Sequence, residues 1–375
     1  MGAMDKFLID SHKYAFHPEH SSTVLKYYNN PELEVNSKEF RQLMPLYIEV
    51  SPVGACNHRC TFCAVDYIGY KSVFLDLETY KQSVKSISGH GTKSIMFAGE
   101  GEPLLHPEIS NMVNFTREEC NIDVSFTTNA VRLEERFVKN SLHNVSWIKV
   151  SFNGGDENTY SNIHRTNKKD FQKVLDNIEY AIRYKKENNI ECAIGLQTLL
   201  LPDNKDSISN LCIKAKNIGA DYVVIKPYSQ HKFSNTHTYE NIDYSEYLDM
   251  QGELEAFSDE NFSVIFRINT INNWISQNEE RYCKCMATPS VWAYIMASGD
   301  VYSCSAYLLD ERFNLGSINE KDFYNLWSSQ KRLDNARFVY NDLDISECRV
   351  NCRMDQVNRY LDKISNQNVA HINFV

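Results

Sequence analysis

Residues 56–63 read Cys-Asn-His-Arg-Cys-Thr-Phe-Cys. Three thiols at C-x₃-C-x₂-C spacing leave this stretch few options. A cubic [4Fe–4S] cluster normally takes four cysteine thiolates, so three leave one iron open to a small molecule. The plain alternative is three unrelated buried thiols. Cysteines this dense in a loop seldom pack as core.

The chain has 375 residues, enough for one large domain and a small one. Apolar residues make up 42%, which supplies a sizeable core. The net charge of −10 argues against a nucleic-acid surface held by a general basic field. No run of about 18 apolar residues occurs, so no membrane span is expected. Met1-Gly2-Ala3-Met4 reads as an expression remnant, and no signal peptide is evident. The 11 cysteines cluster at metal-ligand spacings, so they point to a reducing, cytoplasmic setting and not to disulfides.

Residues 1–45 read as an N-terminal cap, with helices near Ser21–Asn29 and Ser37–Leu43. Lys13, His17 and His20 are minor candidates there for substrate recognition. From Leu46 the pattern is β/α. Strands are expected at Leu46–Val50, Lys93–Ala98, Ile122–Thr128, Ser146–Asn153, Glu191–Leu200 and Tyr222–Lys226. Helices are expected at Leu77–Ile87 behind an Asp76 N-cap, Pro107–Cys120, Leu133–Leu142, Asp170–Asn188 and Ser207–Ile218. This alternation means a parallel sheet, with ligands at the carboxyl ends of its strands. Residues 46–235 form this unit. Residues 236–282 form a bridge with a helix at Tyr244–Phe257 and a strand at Phe262–Ile268, where Arg267 is expected to be solvated or salt-bridged.

The cysteine run resembles the signature of radical S-adenosylmethionine (radical SAM) enzymes, and six β/α units resemble their partial (β/α)6 barrel. In that family the open iron chelates SAM, and the reduced cluster cleaves it to a 5′-deoxyadenosyl radical that abstracts hydrogen from substrate. The resemblance assigns Cys56, Cys60 and Cys63 to the cluster. Gly99-Glu100-Gly101-Glu102-Pro103 is similar to the family's Gly-Gly-Glu-Pro motif, with Glu100 replacing the second glycine. Gly101 and Glu102 are thereby expected to bind the SAM amine, and Glu100 is able to share that role. Ser151 and Asn153 match the ribose motif, with Asn153 where many members have Asp. Arg165 matches an arginine that pairs with the SAM carboxylate. Thr128, Asn129 and Gln197 match further positions near SAM, and Phe62 would pack by the adenine. Each also has a plain reading as a strand-end or core residue. Lys226, Tyr228 and His231 leave the sixth strand at the barrel mouth and are expected to hold a polar substrate.

A second cysteine set comprises Cys283, Cys285, Cys304, Cys348 and Cys352. A hairpin is expected where Trp292–Met296 and Val301–Cys304 flank Ser298-Gly299-Asp300. Spacing alone also suits zinc. The order Cys285, thirteen residues, Gly299-x₄-Cys304 resembles the SPASM and twitch extensions of radical SAM enzymes, which carry auxiliary iron–sulfur clusters. The dense middle run of a full SPASM domain is missing. Residues 283–375 therefore resemble the small α+β twitch form ending in a helix. It would hold one auxiliary [4Fe–4S] cluster on Cys285, Cys304, Cys348 and Cys352. Cys283 is left to replace Cys285, lie inert or donate hydrogen. Cys120, Cys192 and Cys212 are expected to be core thiols.

The resemblance implies an oxidoreductase that abstracts hydrogen from a small sugar- or aminocyclitol-like molecule and passes an electron to the auxiliary cluster. A flavodoxin or ferredoxin would supply electrons. The alternatives are an epimerase using Cys283, a peptide or protein maturase, and a non-enzymatic iron–sulfur sensor.

Overall fold

A computed structural model describes residues 7–28, 37–276, 281–365 and 370–374; the Met1–Met4 remnant lies outside them. Ten strands form one sheet: β1 (Tyr47–Val50), β2 (Ser94–Phe97), β3 (Asp123–Thr128), β4 (Trp147–Ser151), β5 (Ala193–Leu200), β6 (Tyr222–Pro227), β7 (Ser263–Phe266), β8 (Trp292–Ile295), β9 (Asp300–Tyr302) and β10 (Asn314–Ser317). Their order is β10-β9-β8-β1-β2-β3-β4-β5-β6-β7. The six expected strands are all present, in order and parallel.

The sheet is wider than six strands. Strand β7, from the bridging segment, pairs in parallel with β6. Strand β8, the first arm of the expected hairpin, pairs in parallel with β1 and antiparallel with β9. The C-terminal segment thus continues the sheet of the first. Both added strands are short apolar runs with irregular flanks, so nothing local announces which edge they join.

Helices cover the outer face. Asp76 caps Leu77–Ile87 by accepting the Thr79 N–H at 2.9 Å. In Lys169–Glu187, Phe171, Val174, Leu175, Ile178 and Ile182 form the buried stripe, at the three- and four-residue spacing of a helix. The helix expected over Pro107–Cys120 is α-helical at Ile109–Asn114 and widens to a π turn at Phe115–Glu119. The cause is Thr116, whose hydroxyl donates back to the Met112 carbonyl at 2.7 Å and displaces the regular ladder. The helix expected over Tyr244–Phe257 splits into a 3₁₀ turn at Tyr244–Tyr247 and a helix at Met250–Glu255. Sequence reading missed the helices Glu157–His164, Ile268–Ile275 and Gln330–Asn341.

Each parallel strand shows its two faces different neighbours. Ile48, Val50, Ile148, Val150, Ile194 and Leu196 turn outward into the main core under the helices. The alternate positions turn inward. At the lower end Phe7 and Ile9 pack on Tyr222, Val224 and Ile265, with the Phe7 and Tyr222 rings 5.4 Å apart. Asp10 follows and pairs with Arg267 at 3.3 Å, so that arginine is salt-bridged as expected.

Residues 14–28, Phe40 and the C-terminal helices share a second core containing Tyr14, Phe40, Leu333, Tyr340 and Leu361. His20 is buried there between the Tyr14 hydroxyl and the Met44 carbonyl, which makes it structural. Arg332 joins the two segments. It is fully buried, donates to the carbonyls of Trp327 at 2.8 Å, Phe40 at 2.6 Å and Arg41 at 3.2 Å, and lies over the Phe40 ring at 4.7 Å. Removing the guanidinium leaves three carbonyls without it. Arg332→Met is expected to lower unfolding free energy by about 3 kcal/mol, since three hydrogen bonds are lost at about 1 kcal/mol each while the Phe40 carbonyl keeps the Leu43 N–H. Chemical denaturation with an unchanged m-value is the measurement.

Candidate active site

The cysteine loop follows β1 and is braced from two sides. On one side, the carboxyl end of helix Glu157–His164 offers unpaired carbonyls. The Arg59 N–H donates to His164 O at 3.1 Å and the Thr61 N–H to Ile163 O at 2.9 Å. The His164 side chain then meets Cys60, with Nδ1 3.3 Å from Sγ. Its tautomer follows from its other nitrogen: the Asn153 backbone N–H donates to His164 Nε2 at 3.1 Å, so Nδ1 carries the hydrogen and points it at the sulfur. Burial and neighbouring His58 hold this imidazole far below the usual histidine range, so it is neutral.

On the other side stands the Gly99–Pro103 loop. The Glu102 N–H donates to Ala55 O at 2.9 Å. Gly101 lies so close to the chain before Cys56 that a Cβ would sit 2.2 Å from Val53 O and 2.3 Å from Ala55 O. A glycine was expected here for approach to a ligand; what it approaches is the backbone of the cysteine loop. Glu102 is buried, and desolvation pushes its carboxyl up to about 7. It accepts from Asn129 N–H at 2.7 Å, Leu104 N–H at 3.1 Å and the Thr128 hydroxyl. A carboxylate has about four lone-pair directions, so one is left. Thr128 and Asn129 therefore serve Glu102 first, and Asn129 Nδ2 also donates to Asn57 in the cysteine loop at 2.7 Å. Glu100 accepts the Ala297 N–H at 2.7 Å, which ties the loop to the turn after β8.

One cavity of about 370 Å³ opens at the carboxyl ends of the strands. Cys60, Cys63 and Phe62 line one part of it, and Cys285, Cys304, Cys348 and Cys352 line another. Ser151, Asn153, Gln197, Lys226, Tyr228 and His231 also line it. Asn153 Oδ1 is engaged by the Leu199 N–H at 2.7 Å. His231 Nδ1 takes the Phe233 N–H at 3.2 Å, so its Nε2 is the N–H side. Burial draws this histidine down to about 4, so it is neutral near pH 7. Tyr228 donates to Gln230 at 2.8 Å.

Cys56, Gly101, Glu102, Thr128, Asn129 and Arg165 are not among the residues lining the cavity. Arg165 is an exposed left-handed cap of its helix. Cys283 is exposed and also outside the lining, whereas Cys285 is inside it. Cys120, Cys192 and Cys212 are buried in the main core, as expected.

The thiol chemistry fits a cluster. Burial pushes the Cys56 and Cys352 thiols up to about 12 and raises Cys60, Cys63, Cys304 and Cys348, so ionisation here calls for a cationic centre. A tetrahedral zinc site, with Zn–S near 2.3 Å, would bring its sulfurs to about 3.8 Å of one another. Among the described residues, the one group whose ligand atoms lie within 4.8 Å is His58, Cys60 and His164, so neither cysteine set is that tight. Donors stand ready at the C-terminal set: Asn358 Nδ2 lies 3.3 Å from Cys285 Sγ, and the Tyr307 hydroxyl 3.4 Å from Cys348 Sγ.

Residues 50–212 match the radical SAM superfamily, and residues 261–353 match SPASM, the iron–sulfur cluster-binding domain. The chain belongs to the radical SAM superfamily. Within it, the chain is a SPASM-bearing enzyme that uses SAM and iron–sulfur clusters. The GTP 3′,8-cyclase of Chlorobaculum tepidum is 25% identical over 194 residues, covering 51% of this chain and 56% of the cyclase. The chain thus spans little more than half of that relative's length. The cysteine-type anaerobic sulfatase-maturating enzyme of Clostridium novyi is 25% identical over 290 residues, 73% of this chain and 76% of the enzyme. In fold, Streptococcus suis SuiB bound to S-adenosylmethionine superposes with a TM-score of 0.63 at 16% identity, covering 94% of this chain and 86% of SuiB. Native anSMEcpe with bound AdoMet gives 0.57 at 18% identity, covering 87% and 92%. Among the described residues, no helix is long and apolar enough to cross a membrane.

Sequence reading missed His164, which adjoins the arginine singled out in Ile163-His164-Arg165. It also missed Lys149, although a lysine inside Trp-Ile-Lys-Val-Ser is out of place in a strand covered on both faces. The Gly101 contact gives a direct test. Gly101→Ala must push the cysteine loop away, and overpacking of this kind costs about 1–3 kcal/mol. The variant is expected to melt earlier and to take up less iron on reconstitution, read by thermal denaturation and iron analysis.

Proposed function

We propose that this enzyme oxidises a small, polar, sugar-like molecule held between two iron–sulfur clusters. The observation that carries the reading is the shared cavity, lined by thiols of both cysteine sets. In this reading Cys56, Cys60 and Cys63 hold the cluster that binds SAM. Cys285, Cys304, Cys348 and Cys352 hold an auxiliary cluster with no open iron. Bound there, the reduced cluster and SAM would supply the chemistry for removing a hydrogen atom from substrate, and the auxiliary cluster would accept one electron as the substrate hydroxyl loses its proton to solvent.

The chain's own residues do the rest. Ser151 and Gln197 offer polar side chains to the cofactor or substrate from β4 and β5. Glu102 keeps one lone-pair direction for the SAM ammonium. His231 lines the cavity as a neutral imidazole, Tyr228 fixes Gln230, and Lys226 adds an amine. The exposed position of Cys283 disfavours the epimerase reading, because a hydrogen donor must reach the substrate radical.

A second reading is a peptide or protein maturase. Its support is the sulfatase-maturating relative and the structures of anSMEcpe with a bound peptide, whose fold this chain shares. A cavity of about 370 Å³ favours a small molecule. Incubation with SAM and dithionite is expected to release 5′-deoxyadenosine, and the reconstituted chain is expected to hold about eight irons, two cubic clusters. About four irons would remove the auxiliary cluster. Deuterium passing into 5′-deoxyadenosine from a labelled peptide, and from no small molecule, would replace the first reading by the second.

His164 provides a separate check on Cys60. Hydrogen bonds to ligand sulfurs help set cluster potentials, and a donor favours the reduced, more negative state. His164→Phe is expected to shift the midpoint potential of the SAM-binding cluster to more negative values in an EPR-monitored titration. An unchanged potential would deny that the N–H faces a ligand sulfur.

A further inference from the structure

The cavity carries more positive charge than its lining answers. Lys226 and Arg267 face it from β6 and the end of β7, and Arg349 and Arg353 from the C-terminal segment. Glu49 is the one carboxylate residue lining it. Lys149 stands on β4 two residues before Ser151, on the same face and one layer deeper.

Most of these cations have a counterpart. Arg353 pairs with Glu49 at 2.8 Å, and Arg267 with Asp10 at 3.3 Å. Arg349 lies between Cys348 and Cys352 in sequence, beside the thiolates proposed for the auxiliary cluster. Two lysines remain. Lys149 has the Trp147 ring at 5.2 Å and a share in the charge of Glu49, whose ion pair is with Arg353. Lys226 has no hydrogen bond, ion pair or ring contact among the described residues. A cation is rarely left buried without a partner, because desolvation is expensive unless an opposite charge offsets it. The cost is visible in both amines. Burial and the neighbouring cations draw Lys149 down to about 7 and Lys226 well below the usual lysine range.

We propose that the substrate carries an anionic group, a phosphate or a carboxylate, that seats against Lys226 on the cavity wall, with Lys149 adding positive charge from one layer below. This rests on reading the cavity as the substrate site, and it narrows the substrate class. A cationic aminocyclitol would add a further positive charge beside Lys226, Arg267 and Arg349 and be disfavoured, whereas an acidic sugar or a sugar phosphate would hold both amines in their protonated form. The same anion would relieve the repulsion between Lys149, Lys226 and Arg267. Asp10 holds Arg267 in place from outside, and also accepts the Asn269 N–H at 2.9 Å.

The test uses the reconstituted enzyme with SAM, and orthophosphate, pyrophosphate and succinate as probes. Binding is read by calorimetry and by thermal shift. At least one probe is expected to bind and to raise the melting temperature. Phosphate probes alone would indicate a phosphorylated substrate, and succinate alone a carboxylate. Lys226→Met and Lys149→Met are each expected to weaken that binding about tenfold, the loss of one charge-assisted contact. Without probe, Lys226→Met is expected to melt at or above the wild-type temperature, because methionine removes an unpaired buried charge without opening a void. Saturable binding of none of the three probes by wild type would overturn the proposal, as would binding unaltered in both variants. A parallel loss of SAM affinity would also overturn it, since the lysines would then belong to the cofactor carboxylate. Binding is read without turnover, so failure to release 5′-deoxyadenosine would fault the proposed reaction and leave the anion result standing.

Discussion

A parallel strand covered on both faces must bury every side chain it carries. Here the outward positions are apolar and close against helices, while the inward positions at the upper end are Glu49, Thr127, Ser151, Gln197 and Lys226, all facing one cavity. Packing these polar groups against one another would leave several unsatisfied, at a cost of several kcal/mol. The sheet instead stays open around a space. Its lower end can afford closure, because Tyr222, Val224 and Ile265 there are apolar and accept Phe7 and Ile9. The alternation along eight strands thus sets both where the barrel is filled and where it is hollow.

The cysteine loop depends on that frame and on little of its own. It has no helix or strand between Val50 and Asp66. Its shape comes from borrowed carbonyls at the end of helix Glu157–His164 and from the Gly101 backbone pressed against residues 53–55. The residues that resemble cofactor motifs accordingly have two tasks. Glu102, Thr128 and Asn129 form a buried network that fixes one loop against the other, and what remains of Glu102 is available to a ligand. A site built in this way is rigid before anything binds, which lowers the entropy lost on binding.

The six strands and the main helices were legible because each repeats a local period, and Asp76 and Ser37 announce their helices by capping them. The cysteine sets were legible because spacing is itself the signal. What escaped was non-local. No pattern in Ser263–Phe266 or Trp292–Ile295 tells which edge each strand will join. Helix Glu157–His164 is eight residues long and polar, so its stripe was too short to read. The tautomer of His164 needs Asn153 in place before it has meaning. Arg267 was singled out and Lys149 was missed, and their shared destination follows only from the register of β4, β6 and β7.

That register also explains why two distant cysteine sets face one space. Strand β8 lies against β1 with Trp292 opposite Tyr47 and Ile295 opposite Val50, so both strands end at the same level. The first cysteine loop begins six residues beyond β1, and Cys304 follows β9, the partner of β8. One added parallel strand therefore places the second set at the mouth formed by the first. Had the C-terminal segment packed as a separate body, the distance between the two cysteine sets would not be fixed by the sheet. Continuing the sheet fixes the separation by backbone hydrogen bonds. The ion pair of Arg353 with Glu49 joins the last cysteine segment to the same strand β1. Substrate, on this account, is held inside a single hydrogen-bonded frame, and the charge left on Lys149 and Lys226 decides what kind of molecule that frame accepts.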